Sequence, residues 1–319
     1  MNKCKGPYEF GSTAPTHLMG WNKEQATVDN RKLANQMPYT NTPYLYSDPN
    51  RKLIWTIVKE YHNAQHLPTF EQEVGDCVGA GAKQMGDYLN YVQIGRTFRS
   101  EYPRPWHASW IYGMSRVSYT TSASQSDGST GRAAALVIKN AGVYFEDWPN
   151  AEPYSGELSR KWGEEPGPPQ ATRDLARHHL CINVEQITTA AQIRQALLAD
   201  KMITIASMRG FEMEPDQIQG FHVFKPAGRW AHQMCIIDWM DHPFPAAYRL
   251  NSWGPNAHGS PMNGEPPGGA WNLMSDLENE LTSSSVECFA FSAFEAWPTK
   301  ANYNFIPNAA DVSPPLPYK

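Results

Sequence analysis

Gly75-Asp76-Cys77-Val78-Gly79-Ala80-Gly81-Ala82-Lys83-Gln84-Met85-Gly86-Asp87-Tyr88-Leu89-Asn90-Tyr91-Val92 is the stretch on which the fold turns. Its apolar positions Val78, Ala82, Met85, Leu89 and Val92 advance by four, three, four and three residues, which lines one face of a helix. Asp76 stands at the N-cap position of that helix. Gly79, Gly81 and Gly86 each cost about 1 kcal/mol relative to Ala in a helix interior. Three of them predict a helix packed so closely on several sides that larger side chains do not fit. Cys77 falls in the first turn, where unpaired N–H groups and a partial positive charge favour thiolate over thiol. A small buried hydrophobe is the bland reading of the same cysteine.

Around this helix the pattern is α+β. A helix is expected between Asn50 and His66, where Leu53, Ile54, Ile57, Val58 and Tyr61 recur at helical intervals and Pro68 follows. Another is expected over Gly131–Ala141, started by Ser129 or Thr130 and ended by Gly142. Pro- and Gly-rich sequence from Pro149 to Pro169 reads as a long connection. Thr189-Ala190-Ala191-Gln192 has capping-box spacing and opens a helix that buries Ile193, Ala196 and Leu197. Short strands are expected at Met202–Met208, Met234–Trp239, Tyr248–Trp253 and Val286–Phe294. Helices thus fill the first two thirds and strands the last third, which argues against alternating α/β. Residues 1–50 and the tail after Trp297 read as extended arms.

The chain has 319 residues, enough for two units of about 150. Its 27 Lys+Arg against 32 Asp+Glu give a net charge of −5, which argues against a nucleic-acid partner held by a broad basic face. No apolar run reaches the ~18–20 residues of a membrane-spanning helix, and no apolar stretch follows Met1–Pro7 as a secretory signal requires. A cytoplasmic chain, or one assembled into a larger particle, is the expectation. The five cysteines form no CxxC pair, so reduced thiols are expected and a disulfide framework is not. His62 and His66 have metal-ligand spacing for one helical face, but the glutamate of the zinc peptidase pattern is missing. Neither a metal nor a cofactor is expected.

A nucleophilic cysteine needs a base and a group that orients the base. His232, in Ala231-His232-Gln233-Met234, sits at the entrance to an apolar strand. Asn251, in Asn251-Ser252-Trp253-Gly254, ends another strand. Two adjacent strands bring the pair side by side, with the amide steadying the imidazole. His222 is a second candidate base but lacks the strand-entry context. Cys235 reads as structural.

In these three motifs, taken in the order Cys…His…Asn-Ser-Trp-Gly, the chain resembles the papain-like cysteine peptidases. Asp127-Gly128-Ser129 ahead of the Gly131–Ala141 helix, followed by Gly142-Val143 and Glu152-Pro153-Tyr154, looks like the bacterial and phage-type members. The likeness spans roughly residues 66 to 295. It implies an arm and helix over 1–65, a helical half over 66–185 carrying Cys77, and a β-barrel-like half over 186–298 carrying His232 and Asn251. A tail follows over 299–319, and the active-site cleft lies between the halves. It also implies hydrolysis of peptide or isopeptide bonds through a thioester acyl-enzyme. Gln72 and the Cys77 N–H would hold the oxyanion, and Trp253 would shield the His232–Asn251 bond. Glu71 occupies the place six residues before Cys77 where the family carries its glutamine; a one-residue shift brings Gln72 there. Residues 255–269 form an insertion able to reshape or cover the cleft. The partner implied is a peptide or protein substrate. The alternative is a papain-fold structural or binding component of a larger assembly, such as a phage virion, that holds neighbours through its terminal arms.

Overall fold

Among the described residues the longest helix is Cys77–Thr97 (α2), and the rest of the molecule is arranged on it. The computed structural model describes residues 15–23, 25–26, 37–39, 51–97, 103–120 and 126–294. Most of the first arm and the whole tail after Trp297 lie outside them. A 3-10 turn, Thr16–Leu18, is followed by α1 (Ile54–Tyr61), α2, α3 (Ala108–Tyr119), α4 (Gly131–Leu136), α5 (Gly156–Trp162), α6 (Gln170–Ala176), α7 (Ala190–Leu198) and α8 (Met274–Leu281). The strands are β1 (Cys181–Gln186), β2 (Met202–Phe211), β3 (Asp216–Ile218), β4 (Phe221–Val223), β5 (Pro226–Met240), β6 (Ala246–Leu250), β7 (Gly269–Leu273) and β8 (Glu287–Phe294). They form one eight-stranded sheet of order β1-β8-β2-β5-β6-β7-β4-β3. Every pair in it is antiparallel except β4 with β7. The chain is α+β, with helices gathered ahead of most of the strands.

The glycines of α2 mark where neighbours press on it. A Cβ on Gly86 would lie 2.1 Å from the Trp106 ring, and one on Gly81 would lie 3.2 Å from the Gln233 carbonyl on β5. The helix therefore touches the sheet almost backbone to backbone at the strand that carries His232. Thr130 caps α4 by accepting from the Ala133 N–H. Thr189 and Gln192 make the full capping box of α7.

Asp76 does not cap α2. Its Oδ2 accepts from Ser159 at 2.7 Å and Tyr154 at 3.0 Å, and its Oδ1 makes no hydrogen bond. The connection expected from Pro149 to Pro169 contains α5, started by Ser155, whose hydroxyl accepts from the Leu158 N–H. The Gly131–Ala141 helix changes from α to π geometry at Val137 before Gly142 ends it at φ 84°. Strand β5 begins eight residues earlier than its apolar run, at Pro226. No helix among the described residues is long and apolar enough to cross a membrane.

Candidate active site

Three elements converge where α2 begins. Cys77 opens the helix, and its sulfur faces the backbone N–H groups of Gln233, Gly20 and Val78. Gln233 follows His232 on β5, and its side-chain amide donates to the Val78 carbonyl at 3.0 Å, tying the strand to the first helical turn. Strand β6 pairs with β5, and Asn251 lies just past its end. His232 Nε2 and Asn251 Oδ1 are 2.8 Å apart. Trp253 lies against the His232 ring with centroids 4.6 Å apart, and Trp230 packs beside Trp253 at 4.8 Å. Gln84, two turns along α2, accepts from the Phe70 N–H and donates to the Asn251 carbonyl, bracing both walls.

Gln72 and Glu71 point to different surroundings. Gln72 is buried; its Oε1 accepts from Ser252 Oγ at 2.5 Å, and its Nε2 donates to the Leu18 and Val74 carbonyls, both at 2.8 Å. Glu71 is exposed, forms a backbone bridge to Trp253 and lays its carboxylate against Gly254. His222 lies on β4, three strands from β5, apart from this cluster. Cys235 is buried on β5 with its thiol directed at the Leu250 carbonyl.

Residues 18–22 lie against the start of α2 and the neighbouring strand. Leu18 offers its carbonyl to Gln72, and the Gly20 N–H faces the Cys77 sulfur. Trp21 N–H donates to the Ala231 carbonyl at 3.1 Å, while Ser129 brackets Trp21 with bonds of 2.7 Å to the Gly20 carbonyl and from the Asn22 N–H. The Trp21 indole donates to Glu287 at 2.7 Å. Leu18 packs with Phe211, Phe224, Trp230, Met234 and Trp253. A Cβ on Gly20 would stand 1.7 Å from the Gly75 carbonyl oxygen, so no other residue fits there without moving the backbone.

Burial works against the thiolate that the helix N-terminus favours. Cys77 is fully buried, and burial pushes its thiol up to about 12 despite the three N–H groups that favour the anion. Burial likewise pushes His232 down to about 4, more than its bond to Asn251 raises it. His232 Nδ1 is buried and makes no hydrogen bond, so thiol and imidazole are not hydrogen-bonded to one another, and burial disfavours the charged form of each. Asp76, next to the sulfur, is pushed up to about 7 by burial, partly offset by Ser159 and Tyr154.

A second histidine joins the cluster. Asn251 Nδ2 lies 2.9 Å from His258 Nε2, and His258 Nδ1 lies 3.0 Å from the Met213 carbonyl. His258 stands in the insertion at 255–269, where Gly and Pro hide any periodic signal. Only its chemistry as a histidine seven residues past Asn251 could have marked it.

The arrangement can be set beside known structures. The chain superposes on xylellain, a cysteine protease from Xylella fastidiosa, with TM-score 0.51 and 11% identity, covering 81% of this chain and 96% of that one. It superposes on the pro-cathepsin B S9 of Trypanosoma congolense with TM-score 0.55 and 10% identity, covering 89% and 92%. The fold is papain-like. No family model and no curated protein matches the sequence, so at such identities the likeness speaks for the fold alone.

Proposed function

We propose that this chain is a cysteine peptidase of the bacterial or phage papain-like type, held latent by its own residues 16–22. Cys77 is the nucleophile, His232 the general base and acid, and Asn251 the group that orients His232. One observation carries the reading: the sulfur at the start of α2 faces the N–H of Gln233, while the neighbouring His232 holds Asn251 through Nε2 and keeps Nδ1 free. Once the segment leaves, water reaches the pair and the desolvation that keeps both groups neutral falls away. The thiol proton then passes to His232 Nδ1 and the sulfur attacks the peptide carbonyl. The new oxyanion is held by the Cys77 N–H and Gln72 Nε2, the donor that now holds the Leu18 carbonyl. His232 returns the proton to the leaving amine, and water cleaves the thioester. Trp253 keeps water from the His232–Asn251 bond. In this reading the helical part over 66–185 and the strand-rich part over 186–298 form the two walls of the cleft.

The test is hydrolysis of fluorogenic peptides and of a denatured protein by the full chain and by Gly20→Val, with Cys77→Ala in each background. Turnover that needs Cys77 and rises in Gly20→Val supports the peptidase. A second reading is favoured by the sealed sulfur and the neutral pair: a papain-fold component of a larger assembly that binds neighbours through its arms. Gly20→Val protein with a mobile segment and no turnover on any peptide favours that reading.

A further inference from the structure

Asn251 can steady His232 only if its amide is turned one way, with the oxygen toward the imidazole. Two backbone groups of fixed character decide the direction. Asn251 Oδ1 receives the Ser252 N–H at 2.7 Å, and a backbone N–H can only donate, so the atom at that place is the oxygen. His232 Nε2, 2.8 Å from the same oxygen, must then carry a hydrogen, which leaves the lone pair on Nδ1. The Asn251 NH2 group faces His258 Nε2, so that nitrogen must accept. His258 therefore carries its hydrogen on Nδ1, which donates to the Met213 carbonyl, a group that can only accept. From Ser252 N–H to Met213 C=O, each bond of the run then joins a donor to an acceptor.

We infer that His258 is a positioning residue: as a neutral imidazole protonated on Nδ1, it locks the Asn251 amide and through it presents His232 Nδ1 as the base. The inference rests on the peptidase reading in taking His232 as the base. His258 is fully buried, with its ring edge-on to Phe224 at 4.8 Å and parallel to Trp230 at 6.4 Å. Phe224, Trp230 and Trp253 bring no charge to it; His232 lies across the Asn251 amide from it, and the His222 ring lies 3.5 Å from where a Cβ on the adjacent Gly259 would stand. Burial holds His258 neutral, with only the Met213 carbonyl opposing. A proton on its Nε2 would face the amide hydrogens of Asn251, donor against donor, and the amide would lose its lock. The insertion at 255–269 thus supplies a buried acceptor to the site.

The test is long-range proton–nitrogen NMR of the imidazoles in the full chain at pH 7, followed in His258→Phe and His258→Gln. The expected result is hydrogen on Nδ1 of His258 and on Nε2 of His232, both neutral. His258→Phe leaves the Asn251 NH2 without a partner, and exchange of the His232 Nε2 hydrogen should speed up about tenfold, the effect of roughly one buried hydrogen bond. Gln at this place offers an amide oxygen and should restore slow exchange. Hydrogen on Nε2 of His258 in the unmodified chain, or exchange in His258→Phe within twofold of it, overturns the inference. The nitrogen assignment in the unmodified chain decides the matter even where a variant fails to fold. It is also independent of turnover, so a chain that cleaves nothing contradicts the peptidase reading without touching the lock.

Discussion

The two sides of the site are built on opposite terms. On the His232 side each polar atom of the Asn251 amide has a partner, and the run of bonds ends on backbone groups whose direction cannot change. On the Cys77 side an orphaned carboxylate oxygen of Asp76 adjoins a thiol pushed up to about 12, faced by the Gly20 N–H of a distant segment of the same chain. Residues facing the Cys77 sulfur include Gly20, far upstream in sequence, whereas those facing His232 belong to the sheet and its loops. The difference teaches where control resides. Under the proposed function, the base is fixed by folding and the nucleophile is released only when residues 16–22 move.

The largest effect separates nucleophile from scaffold. In a chain opened by Gly20→Val, adding Cys77→Ala should lower peptide hydrolysis at least about a thousandfold, the scale of losing a triad nucleophile, while circular dichroism stays unchanged. Hydrolysis that survives removes Cys77 from the mechanism.

The two sides should also answer pH with opposite signs. His258 is pushed down to about 4, so between its ordinary value near 6.5 and about 4 the unfolded chain binds the extra proton and acid removes stability. Relative to His258→Phe, the unmodified chain should lose up to about 1.4 kcal/mol per pH unit on acidification through that window. Asp76 is raised to about 7, so the folded chain binds the extra proton between about 4 and 7 and stability falls as pH rises. Relative to Asp76→Asn, the unmodified chain should lose up to about 1.4 kcal/mol per unit in that direction. Urea melts at pH 4.5, 5.5 and 6.5 read both slopes; equal signs would erase the contrast.

The smallest effect probes the anchor. Trp21→Phe keeps an aromatic ring but removes the indole bond to Glu287, which also receives the Gly131 and Arg132 N–H groups. Loss of one such bond, about 1 kcal/mol, should speed Cys77 alkylation about fivefold. An unchanged rate places the hold on the segment elsewhere.

Much of this fold is legible in the sequence, for reasons that explain the rest. The stepping of Val78, Ala82, Met85, Leu89 and Val92 marks α2, and Thr189 with Gln192 marks the start of α7, because both signals are local. Helix α3 escapes notice because Ala108–Met114 is buried on all sides and shows no polar face. Helix α5 hides among prolines, although Ser155 caps it. The motifs around Cys77, His232 and Asn251 are visible as residues, and the structure brings the last two into contact. Residues 16–22 bind mostly through backbone groups, which leave no trace in side-chain pattern, so the burial of Cys77 beneath them is not legible in the sequence. Position alone puts Cys77 at a helix end and favours the anion; burial outweighs that helix field.

Alkylation of Cys77 by iodoacetamide across pH 5–9, in the full chain and in Gly20→Val, tests the central claim most directly. The account predicts an unmodified chain whose Cys77 barely reacts below about pH 9, and a variant in which it reacts at least about a hundredfold faster with its half-maximum below about pH 8. That is the gain expected from losing a few hydrogen bonds and the Leu18 packing. A folded variant whose Cys77 stays as unreactive as in the parent would show that the sulfur is sealed by the core and not by residues 16–22, and the account of a guarded nucleophile would be wrong.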